Sequence, residues 1–150
     1  MTTMIVGLGT VAMMGLFTTG ISSANNAANL TTGVDLAENI HELCDRLPFS
    51  NPSTNYWGIP NGFTIANLMA SGNITWLSGQ TFSPPIDATG SAVSSLSGWS
   101  QVVAVNSVSP TSISTNAATN STSTYPMSRV TVTVNHGTTQ VFQTAWLVAQ

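Results

Sequence analysis

His41 is the residue best placed to do chemistry, in the run ENIHELCDRL with Glu38, Glu42, Cys44 and Asp45 close by. Imidazole and carboxylates at this density suit a metal site. The helical spacing of the run, with Glu38 and His41 at i,i+3, would put them on one side of a helix. HExxH is absent and no second histidine accompanies His41, so the pattern reads as a solvated helix face. His136 sits in NHG, a turn sequence in which a polar residue tolerates the backbone required. Asp87 and the many serines supply the parts of a Ser/His/Asp triad, yet no GxSxG elbow or phosphate-binding glycine loop accompanies them. The expectation is a chain that is not an enzyme, without cofactor or metal. Cys44 is the single cysteine, so neither an internal disulfide nor a multi-cysteine metal site is available, and LCDRL reads as a buried free thiol.

Covalent sugar is the other chemistry to weigh. Asn29-Leu30-Thr31, Asn73-Ile74-Thr75 and Asn120-Ser121-Thr122 are N-x-S/T sequons, while Asn51 is followed by Pro52 and drops out. Asn120 lies in a Ser/Thr-rich stretch that reads as exposed loop; Asn29 lies on a helix. The stretch from Ser107 to Thr124 is a candidate for O-linked glycans as well.

Charge narrows the function classes. Of 150 residues, 5% are charged and 42% hydrophobic, and lysine is absent. A typical soluble protein is about a quarter charged. Such a surface suits an extracellular protein, glycosylated or not, or a subunit covered by its neighbours, better than a free cytosolic monomer. With a net charge of −3 and Arg46 and Arg129 as the two arginines, nucleic acid is not an expected partner.

The elements follow from periodicity. The first proline is Pro48, and residues 1–47 read as one helix in two parts. Residues 1–24 are apolar through Met4, Ile5, Val6, Leu8, Val11, Met13, Met14, Leu16, Phe17 and Ile21. Residues 34–47 are amphipathic, with Leu36, Ile40, Leu43 and Leu47 on one stripe. Between Asn25 and Gly33 the Asn, Thr and Gly residues are weak helix formers, and a break, if there is one, falls there. A continuous helix would be roughly 70 Å long at about 1.5 Å per residue. Its front half should then project from a domain formed by residues 48–150. FTIANLMASG reads as a short helix or strand, and NITWLSG and QTFSPPID as strand fragments with turns. WSQVVAVNSVS alternates as a strand, and SPTSISTNAATNSTSTYP is loop by composition. RVTVTVNHGTTQVFQTAWLVAQ is a β-hairpin, with Asn135-His136-Gly137 as its turn and Val141 to Val148 returning. The fold class is α+β, a long N-terminal α-helix followed by a β-rich head with a C-terminal hairpin.

The apolar opening lacks the basic region of a secretory signal. Gly7, Gly9, Thr10 and Gly15 interrupt it as a membrane span. Small residues among large apolar ones suit a helix that packs closely on copies of itself. An ordinary buried core helix is the plainer alternative, but the apolarity covers every face of the first turns while the domain behind is small.

Taken together, MIVGLGTVAMMGLF resembles the N-terminal helix of type IV pilins and pseudopilins, the minor-pilin type in particular. DLAENIHELCDRL resembles the second half of that helix, and SGWSQVVAVNSV and RVTVTVNHGTTQVFQTAWLVAQ resemble strands of minor-pilin heads. The family's basic leader and early glutamate are missing, since no acid precedes Asp35. The resemblance implies a structural subunit, anchored in the inner membrane before assembly, then built into an extracellular homo-polymer. Met4 to Ile21 would pack its core. The alternative is a secreted or surface-anchored β-sandwich module that binds a carbohydrate or protein, with Tyr56, Trp57, Trp76, Trp99 and Tyr125 as a stacking face. If the family reading holds, the mature subunit begins about half a dozen residues upstream of Met1. The mass of the native N-terminal peptide reports this, and a mature chain beginning at Met1 counts against the family.

Overall fold

The computed structural model describes residues 2–49, 63–109, 112–116 and 127–149, with side chains described from Gly20 on and not in 112–116. It contains a long helix α1 (Thr2–Asp45), a short helix α2 (Ile65–Ser71) and two 3₁₀ turns (Ile74–Leu77 and Ser94–Leu96). The strands are β1 (Thr81–Phe82), β2 (Trp99–Ser109), β3 (Ser112–Asn116), β4 (Met127–His136) and β5 (Thr139–Ala149). The class is α+β. Two compact units divide the chain, Met1–Thr32 and Gly33–Gln150.

Helix α1 runs without a break through Asn25–Gly33, although Asn, Thr and Gly are weak helix formers. The threonines adapt to the helix: Thr31 and Thr32 each donate their hydroxyl to the carbonyl four residues back, Ala27 and Ala28, at 3.1 Å. That satisfies the polar group locally and removes its competition with the helix. At the far end the N–H groups of Arg46 and Leu47 reach back to Leu43 and Cys44, tightening the last turn. Pro48 then prevents continuation.

In the second unit, the helix stripe and a valine-rich sheet face share one core. Leu36, Ala37, Ile40, Leu43, Cys44 and Leu47 are buried together with Val103, Val105, Val130, Val132 and Val134. The period of the first set is that of a helix and the period of the second is that of a strand. The sheet is antiparallel in the order β1-β2-β4-β5, with β3 paired to β2. Register is continuous from Trp99↔His136 to Ser107↔Ser128. In the terminal hairpin the turn is Gly137-Thr138, not the expected Asn135-His136-Gly137. Gly137 takes φ +60, which a two-residue hairpin turn requires and glycine accepts without strain. Asn135 and His136 stay in β4, and the register shifts beyond Val134, so that Val141 bulges from β5.

Two more expectations need correction. Ile74–Leu77 forms a 3₁₀ turn rather than a strand, because the Asn73 side chain caps it by accepting from the Thr75 N–H at 3.0 Å. Ser112–Asn116 is a strand within the stretch read as loop. Its β-branched Ile113 and Thr115 suit a strand, and β2 offers an edge to pair with.

One buried polar side chain ties the layers together. Gln101 is fully buried at an inward position of β2. Its Nε2 donates to the Leu36 carbonyl of α1 at 2.7 Å and to the Ile86 carbonyl at 3.1 Å, and its Oε1 accepts from the Ile86 N–H at 2.8 Å. Helix, sheet and the loop after β1 thus meet on one amide. Gln101→Leu keeps the volume but strands the Ile86 N–H, an uncompensated buried donor. We expect a loss of about 2–4 kcal/mol in urea unfolding; a change below about 0.5 kcal/mol contradicts this role.

Candidate assembly surface

The expected packing residues Met4, Ile5, Val6, Leu8, Val11, Met13, Met14, Leu16 and Phe17 lie on α1, outside the residues whose side chains are described. Ile21 is described and is 62% exposed. From Gly20 to Thr31 no residue is charged and none is buried, and Leu30 is 48% exposed. Among the described residues no helix is long and apolar enough to cross a membrane.

Within the second unit a groove opens at the sheet edge. Gly33 lets α1 approach β5 closely: a Cβ there would stand 3.0 Å from the Phe142 Cβ. Eight residues on, the His41 ring meets Trp146 edge to face at 4.6 Å. This stretch of α1 therefore runs alongside β5 in the same direction. Between them Val34, Ala37, Glu38, His41, Phe142, Thr144 and Trp146 line a groove of about 280 Å³. Its walls are mainly aliphatic and aromatic, with Glu38 and His41 on the helix side. The Trp146 Nε1 is out of solvent and has no hydrogen-bond acceptor. This groove was missed in the sequence, where Phe142, Thr144 and Trp146 register only as one face of a strand.

The residues singled out for chemistry do not converge. His41 is exposed, with Nδ1 at 3.8 Å from the Asp45 carboxylate one turn on. Among the described residues no group of three or more His, Cys, Asp or Glu could hold a metal. His136 stacks flat on Trp99, with ring centroids 4.6 Å apart, which places Trp99 in the core rather than on a sugar-binding face. Trp76 is half-buried against the same core, while Tyr56, Trp57 and Tyr125 lie outside the described residues. The Asp87 carboxylate closes a turn on itself, accepting from the Thr89 hydroxyl and from the N–H groups of Thr89 and Ser91. Those bonds, the Thr89 hydroxyl foremost, hold its pKa below the ordinary value.

The sequons separate by environment. Asn73 is 2% exposed and its Oδ1 also takes the Thr75 hydroxyl, so the folded head leaves no place for a glycan there. Asn29 is half-buried on α1, and Asn120 lies outside the described residues. Protein-family models, characterised proteins and solved structures, compared with this chain, give no match.

Cys44 is buried, and desolvation, with a smaller contribution from Asp45, pushes its thiol from the ordinary 9.0 to about 12. Above pH 9 the unfolded thiol ionises while the folded one keeps its proton. Folding then binds the extra proton, so stability falls with rising pH, by up to about 1.4 kcal/mol per pH unit, between those two values. Urea midpoints measured from pH 8.5 upward should show that slope, and Cys44→Ala should remove it.

Proposed function

We propose that this chain is a structural subunit of an extracellular type IV pilus-like filament, assembled through its apolar N-terminal helix. The observation that carries the reading is the division of labour along α1. From Gly33 on, the helix belongs to the compact β-rich unit and buries Leu36, Ile40, Leu43 and Leu47. The preceding stretch, Gly20 to Thr31, exposes uncharged side chains, Ile21 and Leu30 among them. A helix without charge and with apolar groups facing water gains by being covered. The sequence before it is richer still in Met, Val, Leu and Ile. Each such side chain, once fully buried, contributes roughly 1.5–3 kcal/mol, and a helical array of copies buries all of them against one another. Small residues such as Gly7, Ala12 and Gly15 allow the close helix approach this needs.

On this reading the subunit sits in a membrane before assembly, its glycines and threonine being tolerable there, and the heads face outward in the fibre. Glycans on Asn120 or on the Ser/Thr-rich stretch would keep a nearly uncharged surface in solution. The work of the chain is to build a fibre, not to turn over a substrate.

A charge placed in the apolar stretch tests this. Leu8→Asp and Leu16→Asp should abolish fibres in electron micrographs of surface material. The urea unfolding of the head should stay within about 0.5 kcal/mol of the parent. Fibres formed as before by both variants would contradict the proposal.

A further inference from the structure

We infer, independently of the filament reading, that the hydroxyl of Ser78 closes the outer edge of β2 at Val105 against strand addition by a second copy of this chain. β2 carries neither charge nor proline, and lysine, the common guard of an exposed strand edge, is absent from the chain. One side of β2 is taken by β4. On the other side the backbone groups of every second residue point outward. β1 covers that side at Gln101 and Val102. At Val103 the carbonyl accepts from the Gly79 N–H at 2.8 Å, and the N–H donates to the Gln80 carbonyl at 2.9 Å. Further along, β3 pairs at Val108 and Ser109. Val105 lies between these stretches, two residues on from Val103, so its N–H and C=O face the same way as those of Val103.

The segment that covers Val103 does not cover Val105 with its own backbone. Followed back from Gln80, it enters the 3₁₀ turn Ile74–Leu77, where the Ser78 N–H is spent on the Thr75 carbonyl at 3.1 Å. Gly79, at φ +78, makes the change of direction, in a backbone conformation that glycine takes without strain. The Ser78 side chain stands in for the missing strand. Its Oγ accepts from the Val105 N–H at 3.3 Å and donates to the Val105 carbonyl at 3.0 Å. A hydroxyl suits both roles, having one proton to give and lone pairs to receive. An incoming strand therefore finds both backbone groups of Val105 already engaged. Unlike a strand, the hydroxyl offers no second row of backbone groups, so pairing does not spread outward from it.

Hydrogen exchange at the Val105 amide tests this in the full chain carrying Leu8→Asp and Leu16→Asp, a background chosen to keep α1 out of any association. Adding Ser78→Ala should speed exchange at Val105 about tenfold or more at low protein concentration, while Val132 in β4 exchanges as before. Raising the concentration should slow Val105 again, as the freed edge of one copy pairs with another, and the sedimenting mass should rise with it. With Ser78 in place, or with Ser78→Thr, Val105 should stay slow at every concentration. An unchanged Val105 rate in Ser78→Ala overturns the inference, because something other than the hydroxyl then closes the edge. A faster rate that ignores concentration also overturns it, because the hydroxyl then fills a bond without barring a partner. If Ser78→Ala speeds Val132 equally, the whole sheet has loosened, and Ser78→Cys, whose thiol bonds weakly, takes its place. The same general loosening in Ser78→Cys overturns the inference.

Discussion

The second unit depends on one amide. Gln101 is the point where three separate stretches satisfy one another: a helix carbonyl, both backbone groups of Ile86, and the strand that carries the side chain. Apolar packing alone would let a smooth leucine stripe slide over a smooth valine face. A fully buried donor and acceptor fix the helix's height on the sheet, because any slip leaves unpaired polar groups in a dry core. That fixed height in turn sets Gly33 against Phe142 and His41 against Trp146, and so creates the groove at the sheet edge.

Charge is the second constraint. Five of the seven charged residues lie between Asp35 and Arg46, while the helix before them and the edge strand β5 carry none. An edge strand is normally guarded by lysine or proline against unwanted pairing. The described stretch of helix before Asp35 also exposes Ile21 and Leu30. Among the described residues the titratable side chains lie apart. His41 faces solvent beside Asp45, and the Asp87 carboxylate is spent on its own turn.

Much of the architecture was legible because its signals are periodic. The stripe Leu36, Ile40, Leu43 and Leu47 and the alternation of Val130, Val132 and Val134 each announce a buried face. What escaped were features set by single side chains acting locally. The threonines at 31 and 32 are weak helix formers by average, yet their back-bonded hydroxyls suit the helix here. Asn73 stands in the sequon NIT, but it spends its oxygen on a cap and is buried. A strand paired through a bulge, as β3 is, hides in a serine-rich run because pairing to β2 outweighs composition. Gln101 could have been found: in WSQVVAV the inward alternation of Trp99, Val103 and Val105 puts a glutamine in the core, where it must be bonded. The groove could not be, because it arises between a helix and a strand a hundred residues apart in sequence.

The central claim is that copies of this chain meet through α1. Electron cryo-microscopy of native surface material containing the chain tests it most directly. The account predicts a fibre with the N-terminal helices bundled at its axis and the β-rich heads outside. Isolated particles, or a fibre joined by strand exchange between heads with its helices apart, would contradict it.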